Sequence, residues 1–203
     1  MTYKIKNLWP TPLYLNNIGV DKETLDFALT YPYNRLKVKN GSDTADKKIL
    51  NKMPLLKKQL EDEISKFVYD YLKTNENIKF EITTSWINKH LPGDHAHVHY
   101  HQNAMFSGVY YIKQPENGGD FLIHENPFNP NIVVKTVGLD FTEWNDTNAK
   151  NIYLKVKSGM VIIFPSFVFH SVENNQSNED RYSLAFNVFA RGKLGKEEFE
   201  LNV

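Results

Sequence analysis

Four histidines occupy every second position of a short stretch, His95-Ala-His97-Val-His99-Tyr-His101. Alternate side chains of an extended strand point to the same face, so this stretch predicts a strand with imidazoles along one side. Neutral imidazole is a common ligand for iron, zinc, copper and nickel, and the pattern therefore indicates a metal site rather than an apolar core. One strand can direct only two or three of these rings at one metal. A further ligand should come from another strand.

His170 is the candidate for that ligand, because it is the only histidine after residue 124 and follows the apolar run 160–164. Arg181 then begins a predicted strand with one apolar face, which we expect to be core. The other face carries Arg181, Ser183, Ala185 and Asn187. An arginine two positions from a hydroxyl is typical of a clamp for a carboxylate or a phosphate.

The elements that must position these residues are mostly strands. Apolar residues at helical spacing predict a helix over 54–74, and Asp21 is a candidate N-cap for a shorter one. Residues 3–15 predict a short strand broken by Pro10 and Pro12. Later strands are predicted at 80–88, 95–101, 105–112, 120–124, within 132–155, and at 160–164 and 181–190.

This order predicts a mainly β protein, a double-stranded β-helix (a jelly-roll or cupin-like barrel) with N-terminal supporting α-helices. We expect a single domain over 1–203, with a helical support segment at 1–76 and a jelly-roll core that carries the metal site at 77–192.

Composition excludes several classes of protein. The chain has no cysteine, which removes disulfides, thiolate zinc sites, iron–sulfur clusters and thiol catalysis. Its 24 basic and 24 acidic side chains balance, so no bulk nucleic-acid binding is expected. No run approaches the roughly 20 apolar residues of a membrane span, and the first residues do not resemble a signal peptide. We therefore expect no membrane association and a cytoplasmic location.

Ordered motifs across residues 80–190 resemble the 2-oxoglutarate/Fe(II)-dependent oxygenase superfamily, with prolyl hydroxylase-like topology. More narrowly, they resemble an oxygenase family common in marine bacteria and their phages. The motifs are Trp86-Ile-Asn88, Pro92-Gly93, His99-Tyr-His101, Ser107-Gly-Val-Tyr-Tyr111, Phe164-Pro-Ser166, His170-Ser-Val172, Arg181-Tyr-Ser183 and Phe186-Asn187. The N-terminal Trp9-Pro-Thr-Pro12 also fits the family's opening.

The resemblance implies a dioxygenase that uses Fe(II), 2-oxoglutarate and O2, hydroxylates a substrate and releases succinate and CO2. His99 and His170 then match metal ligands, and His101 stands where the superfamily usually has a carboxylate. Arg181, helped by Ser183, would hold the distal carboxylate of 2-oxoglutarate. Tyr111 matches a tyrosine whose hydroxyl also reaches this cosubstrate.

Several alternatives stay open at this point. Asn88 and Asn187 lie on predicted inward faces, where they could contact the cosubstrate or satisfy buried backbone groups. His97 could pair with His99, or Asp94 or Asp120 could supply a carboxylate ligand. We expect His95 and His97 to be surface or outer residues, and His90 and His124 to be polar residues of turns or sheets.

Two other functions are compatible with the same residues. One is a cupin-like three-histidine metal enzyme that does not use 2-oxoglutarate, and the other is a non-enzymatic jelly-roll binding protein. The substrate, small-molecule or peptidyl, is not predicted by the sequence. We expect a possible homodimer, and the host cytoplasm as the location if a phage encodes the chain.

Overall fold

The computed structural model describes residues 4–7, 10–36, 40–126 and 139–203. Its α-helices are α1 (Lys22–Thr30) and α2 (Pro54–Ser65), and α2 continues as a π-helical segment, Lys66–Tyr71. Two short 3₁₀ segments occur at Ile49–Lys52 and Glu197–Phe199. The strands are β1 (Tyr14–Asn17), β2 (Asn34–Arg35), β3 (Ser42–Asp43), β4 (Lys79–His90), β5 (Ala96–His99), β6 (Phe106–Lys113), β7 (Phe121–His124), β8 (Asn151–Leu154), β9 (Met160–Pro165), β10 (His170–Val172), β11 (Arg181–Arg191), β12 (Lys193–Leu194) and β13 (Leu201–Asn202).

Among the described residues, the strands form a large sheet, a small sheet and a separate two-stranded sheet of β12 and β13, all antiparallel. The large sheet has the order β1-β9-β6-β11-β4-β3-β2, and the small one has the order β5-β10-β7-β8. Inward side chains of β6 and β9 pack with Phe121 of the small sheet in one apolar cluster, so the two sheets face each other. The predicted mainly β, double-stranded β-helix is confirmed.

The two faces of the large sheet have different roles, as the alternation in β11 predicts. Its apolar face, with Tyr182, Leu184, Phe186 and Val188, packs against the N-terminal helices. The other face of the large sheet lines the space between the two sheets. The helices thus cover the back of the sheet, and the interior between the sheets holds buried polar residues such as Arg181 beside the apolar cluster.

Gly108 lets β6 and β11 approach closely at the centre of the large sheet. Phe186 lies opposite Gly108 in the register, and a Cβ built on Gly108 would lie 2.1 Å from the tip of the Phe186 ring. Because Phe186 is fully buried, its ring has no room to move aside. The Ser-Gly-Val-Tyr-Tyr and Phe-Asn motifs are therefore complementary parts of one packing contact.

Some predicted boundaries differ from the structure. The α-helix predicted over 54–74 ends at Ser65, with the π-helical segment after it, and the N-terminal strand is only Tyr14–Asn17. Pro10 and Pro12 cannot donate ladder hydrogen bonds, which explains the late start of β1. The histidine strand stops at His99. Trp9 and residues 132–138 of the region predicted at 132–155 lie outside the described residues.

Glu63 joins α2 to the edge of the large sheet. Its buried carboxylate accepts hydrogen bonds from Tyr14 Oη (2.5 Å), Asn16 Nδ2 (2.7 Å) and Lys66 Nζ (2.6 Å). Burial acts to raise the pKa of Glu63, but these three hydrogen bonds outweigh it and hold the pKa below its usual value. The ionised carboxylate is therefore the form that stabilises the fold.

Glu63→Gln should lower the free energy of unfolding by about 1–3 kcal/mol at pH 7, because it weakens three hydrogen bonds to a buried charge. The difference from the wild type should shrink as the pH falls from about 4.3, the usual glutamate pKa, through the lower pKa of the folded state. Denaturant unfolding at pH 7 and pH 3 measures it, with exposed Asp62→Asn as the control. An equal loss at both pH values would contradict the role of the charge.

Among the described residues, no helix has the length and apolar character needed to cross a membrane.

Candidate metal centre

Three histidines from two distant parts of the sequence come together beside the small sheet. His99 ends β5, His101 follows it, and His170 begins β10, where it pairs with His99 across the small sheet. One potential ligand atom from each ring lies within 4.8 Å of the other two. The ring centroids of His99 and His170 are 4.2 Å apart. No carboxylate belongs to this cluster in the part of the chain that the structure describes.

Hydrogen bonds orient each of the three rings in the same way. The Nδ1 atoms of His99 and His170 lie 2.7 Å and 2.9 Å from the backbone oxygens of His97 and Val168. The Nδ1 atom of His101 lies 2.5 Å from Oδ1 of Asn187. Because each of these oxygens can only accept a hydrogen bond, each Nδ1 carries the proton and each Nε2 keeps its lone pair. This is the tautomer in which Nε2 can bind a metal.

Burial, followed by the neighbouring His99, lowers the pKa of His170 to about 3. His170 is therefore a neutral imidazole at physiological pH. A neutral ring has the free lone pair that metal ligation needs.

His101 sits in a polar network that fixes its position. Ser107 Oγ lies 2.9 Å from His101 Nδ1 and 2.9 Å from Asn187 Oδ1, and the backbone N–H of His101 donates to the carbonyl of Ser166 (3.0 Å). The Asn187 amide is held in turn by donating from Nδ2 to Thr84 Oγ1 (3.0 Å). Asn187 thus presents its Oδ1 acceptor to His101, and the hydrogen bond to Thr84 fixes the orientation of its amide.

Asn187→Leu should weaken metal affinity about 10- to 100-fold while the protein remains folded, because His101 loses the acceptor that fixes its ring. Asn187→Asp keeps an acceptor at the same place and should retain most of the affinity. Titration with Zn(II) or Mn(II) against a competing chelator measures both variants. Equal affinities in the two would show that the acceptor does not position His101.

The other histidines and the alternative acidic ligands lie elsewhere. The exposed His97 ring is not part of the cluster, and its centroid lies 4.6 Å from the centroid of the His95 ring. Asp94 is engaged by both terminal nitrogens of Arg35 and by the backbone N–H of Leu91. Asp120 is likewise outside the cluster.

A second group of polar residues lies on the inner face of the large sheet, around Arg181. Arg181 is 1% exposed, and its Nη1 donates to the backbone oxygens of Gly118 and Glu173. Its Nε and Nη2 are sealed from solvent and have no partner among the described residues. Tyr111, 1% exposed, has an equally sealed hydroxyl without a partner there.

The chemistry of these sealed donors fits a carboxylate ligand. The guanidinium stays protonated although burial lowers the pKa of Arg181, and burial raises the pKa of Tyr111, so its hydroxyl keeps its proton. An unsatisfied buried polar group costs about 1–3 kcal/mol. Three donors that face no acceptor therefore point to an anionic ligand that would accept all of them.

Ser183, Asn88 and Tyr111 lie in one row across three strands, since Ser183 is the register partner of both others. Ser183 is buried, and Asn88 Oδ1 accepts a hydrogen bond from Trp86 Nε1 (3.1 Å). This row is next to Arg181 on the same face of β11. Its side chains therefore line the inner surface beside the sealed donors.

Sequence reasoning brought out most of these residues but missed how Asn187 and its partners act. The sequence leaves open whether Asn187 contacts the cosubstrate or satisfies buried backbone groups, and in the structure its side chain is hydrogen-bonded to His101, Ser107 and Thr84. Thr84 lies more than 100 residues before Asn187 in the chain, and only the β4–β11 register brings them together. The serine of the Ser-Gly-Val-Tyr-Tyr motif, Ser107, was the one feature of the sequence that could have indicated a polar partner for His101 and Asn187.

Known proteins share this fold. A 2OG-Fe(II) oxygenase family oxidoreductase from Burkholderia pseudomallei is 16% identical, with a TM-score of 0.59 over 87% of this chain and 83% of that one. A Pseudomonas putida prolyl-4-hydroxylase is 14% identical, with a TM-score of 0.53 over 87% and 92%. HygX from Streptomyces hygroscopicus, solved with nickel and 2-oxoglutarate, is 11% identical, with a TM-score of 0.58 over 88% and 82%.

A search of curated proteins gave no significant match. The family model described as "Putative 2OG-Fe(II) oxygenase" matches residues 84–187, just over half of the chain. The matched segment includes the histidine cluster, Tyr111 and Arg181. The chain belongs to the 2OG-Fe(II) oxygenase family, and it is an Fe(II)- and 2-oxoglutarate-dependent dioxygenase.

Proposed function

We propose that His99, His101 and His170 hold the Fe(II), and that Arg181 and Tyr111 bind the distal carboxylate of 2-oxoglutarate. The observation that carries this proposal is the presence of both the histidine cluster and the sealed donors around Arg181 in the same barrel. Three imidazoles offer lone pairs to one point, and sealed donors on the inner face of the same barrel lack an acceptor. A cupin-like enzyme without 2-oxoglutarate would have no use for the buried Arg181.

The protein's own residues bind and orient the cosubstrate. Arg181 offers Nε and Nη2 side by side, which matches the two oxygens of a carboxylate, and Tyr111 adds a hydroxyl donor. Ser183 and Asn88 line the row beside them and would contact the rest of the molecule. When bound, the iron supplies the activation of O2 that drives hydroxylation of the substrate, with release of succinate and CO2.

Three neutral imidazoles leave more positive charge at the metal than two imidazoles and a carboxylate would. The centre therefore attracts the C1 carboxylate of 2-oxoglutarate more strongly. The ligand set itself attracts the metal cation less strongly, because it carries no negative charge. The network around His101 compensates by holding that ring in place. The distinctive property that we propose for this enzyme is an iron centre that depends on His101 and Asn187 instead of a carboxylate.

Anaerobic titration of the Fe(II)-loaded protein with 2-oxoglutarate tests the assignment. We expect the weak visible charge-transfer band of the iron–cosubstrate complex in the wild type and no metal retention in His170→Ala. Iron binding without a band would favour the cupin-like alternative. Failure of the wild type to bind iron would favour a jelly-roll binding protein.

The remaining assignments are proposals that rest on the sequence. Within the family, the ordered motifs support a place among the oxygenases of marine bacteria and their phages. We propose a hydroxylase for a small-molecule or peptidyl substrate, with no bulk nucleic-acid binding, a cytoplasmic location and homodimer formation. The chain would act as one domain, with residues 1–76 supporting the jelly-roll core at 77–192.

A further inference from the structure

His90 lies beside Arg181 in the barrel, although the sequence suggested only a polar residue at the end of a strand. It is the last residue of β4 and the register partner of Arg181, the first residue of β11. His90 is 6% exposed. Its Nδ1 atom is sealed from solvent and has no partner among the described residues.

The orientation of the His90 ring is set by the chain on one side. A Cβ built on Gly41 would lie 3.1 Å from both Cδ2 and Nε2 of His90, so this edge of the ring packs against the Gly41 backbone. Nδ1 is on the opposite edge and points away from Gly41.

The charges around His90 keep its ring neutral. Burial, followed by the nearby Arg181, lowers the pKa of His90 to about 3, while Asp94 acts in the opposite direction. Asp94 is committed to Arg35, and His95 and Arg35 further disfavour a charge on His90. A neutral His90 with Nδ1 protonated is an uncharged hydrogen-bond donor.

We propose that His90 completes the binding site for the distal carboxylate of 2-oxoglutarate by donating a hydrogen bond from Nδ1. This inference rests on the proposed function of Arg181 and Tyr111. An ionised carboxylate has about four lone-pair sites. In the described part of the chain, the sealed donor atoms without a partner on these adjacent strands are also four, namely Arg181 Nε, Arg181 Nη2, the Tyr111 hydroxyl and His90 Nδ1.

Arg181 is electrostatically close to both other residues, since its charge acts on the pKa of His90 and on that of Tyr111. The three side chains come from β4, β11 and β6, which are neighbours in the sheet. His90 is therefore a residue that selects a dicarboxylic 2-oxo acid over a 2-oxo acid without the second carboxylate.

The experiment compares 2-oxoglutarate with 2-oxopentanoate, which lacks the distal carboxylate, by calorimetry on Mn(II)-loaded protein. His90→Leu should weaken 2-oxoglutarate binding about tenfold or more and leave 2-oxopentanoate binding unchanged. Asparagine places an amide N–H near the position of Nδ1, so His90→Asn should stay within about threefold of the wild type. His97→Leu, at an exposed histidine outside the metal cluster, is the matched control.

Wild-type affinity in His90→Leu, or an equal loss for both ligands, would overturn the role of His90 and leave that of Arg181 intact. If the wild type binds Mn(II) but not 2-oxoglutarate, both the proposed function and this inference fail. If His90→Leu does not fold, His90→Asn and His90→Gln decide the matter, because glutamine places its amide near Nε2 instead. Equal affinities in these two variants would then contradict the proposal.

Discussion

Arg181→Met should abolish most 2-oxoglutarate binding without lowering the stability of the ligand-free protein. We expect about 30-fold weaker binding or more, because truncating one side of a buried, hydrogen-bonded charge pair costs about 2–5 kcal/mol. Metal affinity should be unchanged, since Arg181 is not part of the histidine cluster. Calorimetry with 2-oxoglutarate on the Mn(II)-loaded protein measures the first effect, and chelator competition the second.

The stability of the same variant separates a binding role from a structural one. Arg181 is a buried cation whose Nε and Nη2 find no partner among the described residues, and such a group is costly when no ligand pairs with it. Methionine removes that cost, although the backbone oxygens of Gly118 and Glu173 lose a donor. We therefore expect a free energy of unfolding equal to or above that of the wild type.

Arg191→Met provides the matched control, because Arg191 ends the same strand but is exposed and paired with Glu81. It should bind 2-oxoglutarate as the wild type does. A large loss of stability in Arg181→Met, together with unchanged 2-oxoglutarate affinity, would show that Arg181 serves only to link β11 to the Gly118 turn.

The parts of the fold that alternation controls could be predicted from the sequence. Arg181 and Ser183 face the barrel interior, while Leu184 and Phe186 face the helices, as the period of two in β11 requires. The alternation of histidines likewise predicted imidazoles along one face, although the choice of His99 with His101 came from the resemblance to the oxygenase family. These are properties of single strands, and each strand carries its own pattern.

Contacts between strands could not be predicted in the same way. His90 lies opposite Arg181, and Thr84 opposite Asn187, only because β4 pairs with β11 in one particular register. That register depends on the packing of the whole sheet, including the fit of Phe186 over Gly108. Asn187 therefore looked like a pocket residue in the sequence, whereas the structure makes it the partner of His101.

His101→Asp should weaken metal binding by more than about 100-fold, although aspartate is a ligand that the wider superfamily uses at this position. The aspartate side chain is shorter, and the backbone at residue 101 is held by the hydrogen bond to Ser166, so the carboxylate would fall short of the point that the imidazole reaches. An unfilled ligand position costs more than the 10- to 100-fold effect of an outer partner.

The surroundings of residue 101 also suit an imidazole and not a carboxylate. Asn187 presents Oδ1, an acceptor, to this position, and its Nδ2 is committed to Thr84. An aspartate would face that acceptor with another acceptor, which is unfavourable in a partly buried site. Chelator competition with Fe(II) under anaerobic conditions measures the iron affinity. The affinity of His101→Asp should be close to that of His101→Ala, while His97→Asp, which lies outside the cluster, should have the affinity of the wild type. If His101→Asp instead bound iron as tightly as the wild type, the centre would not depend on imidazole at this position, and the polarity of Asn187 would have no bearing on the choice of ligand.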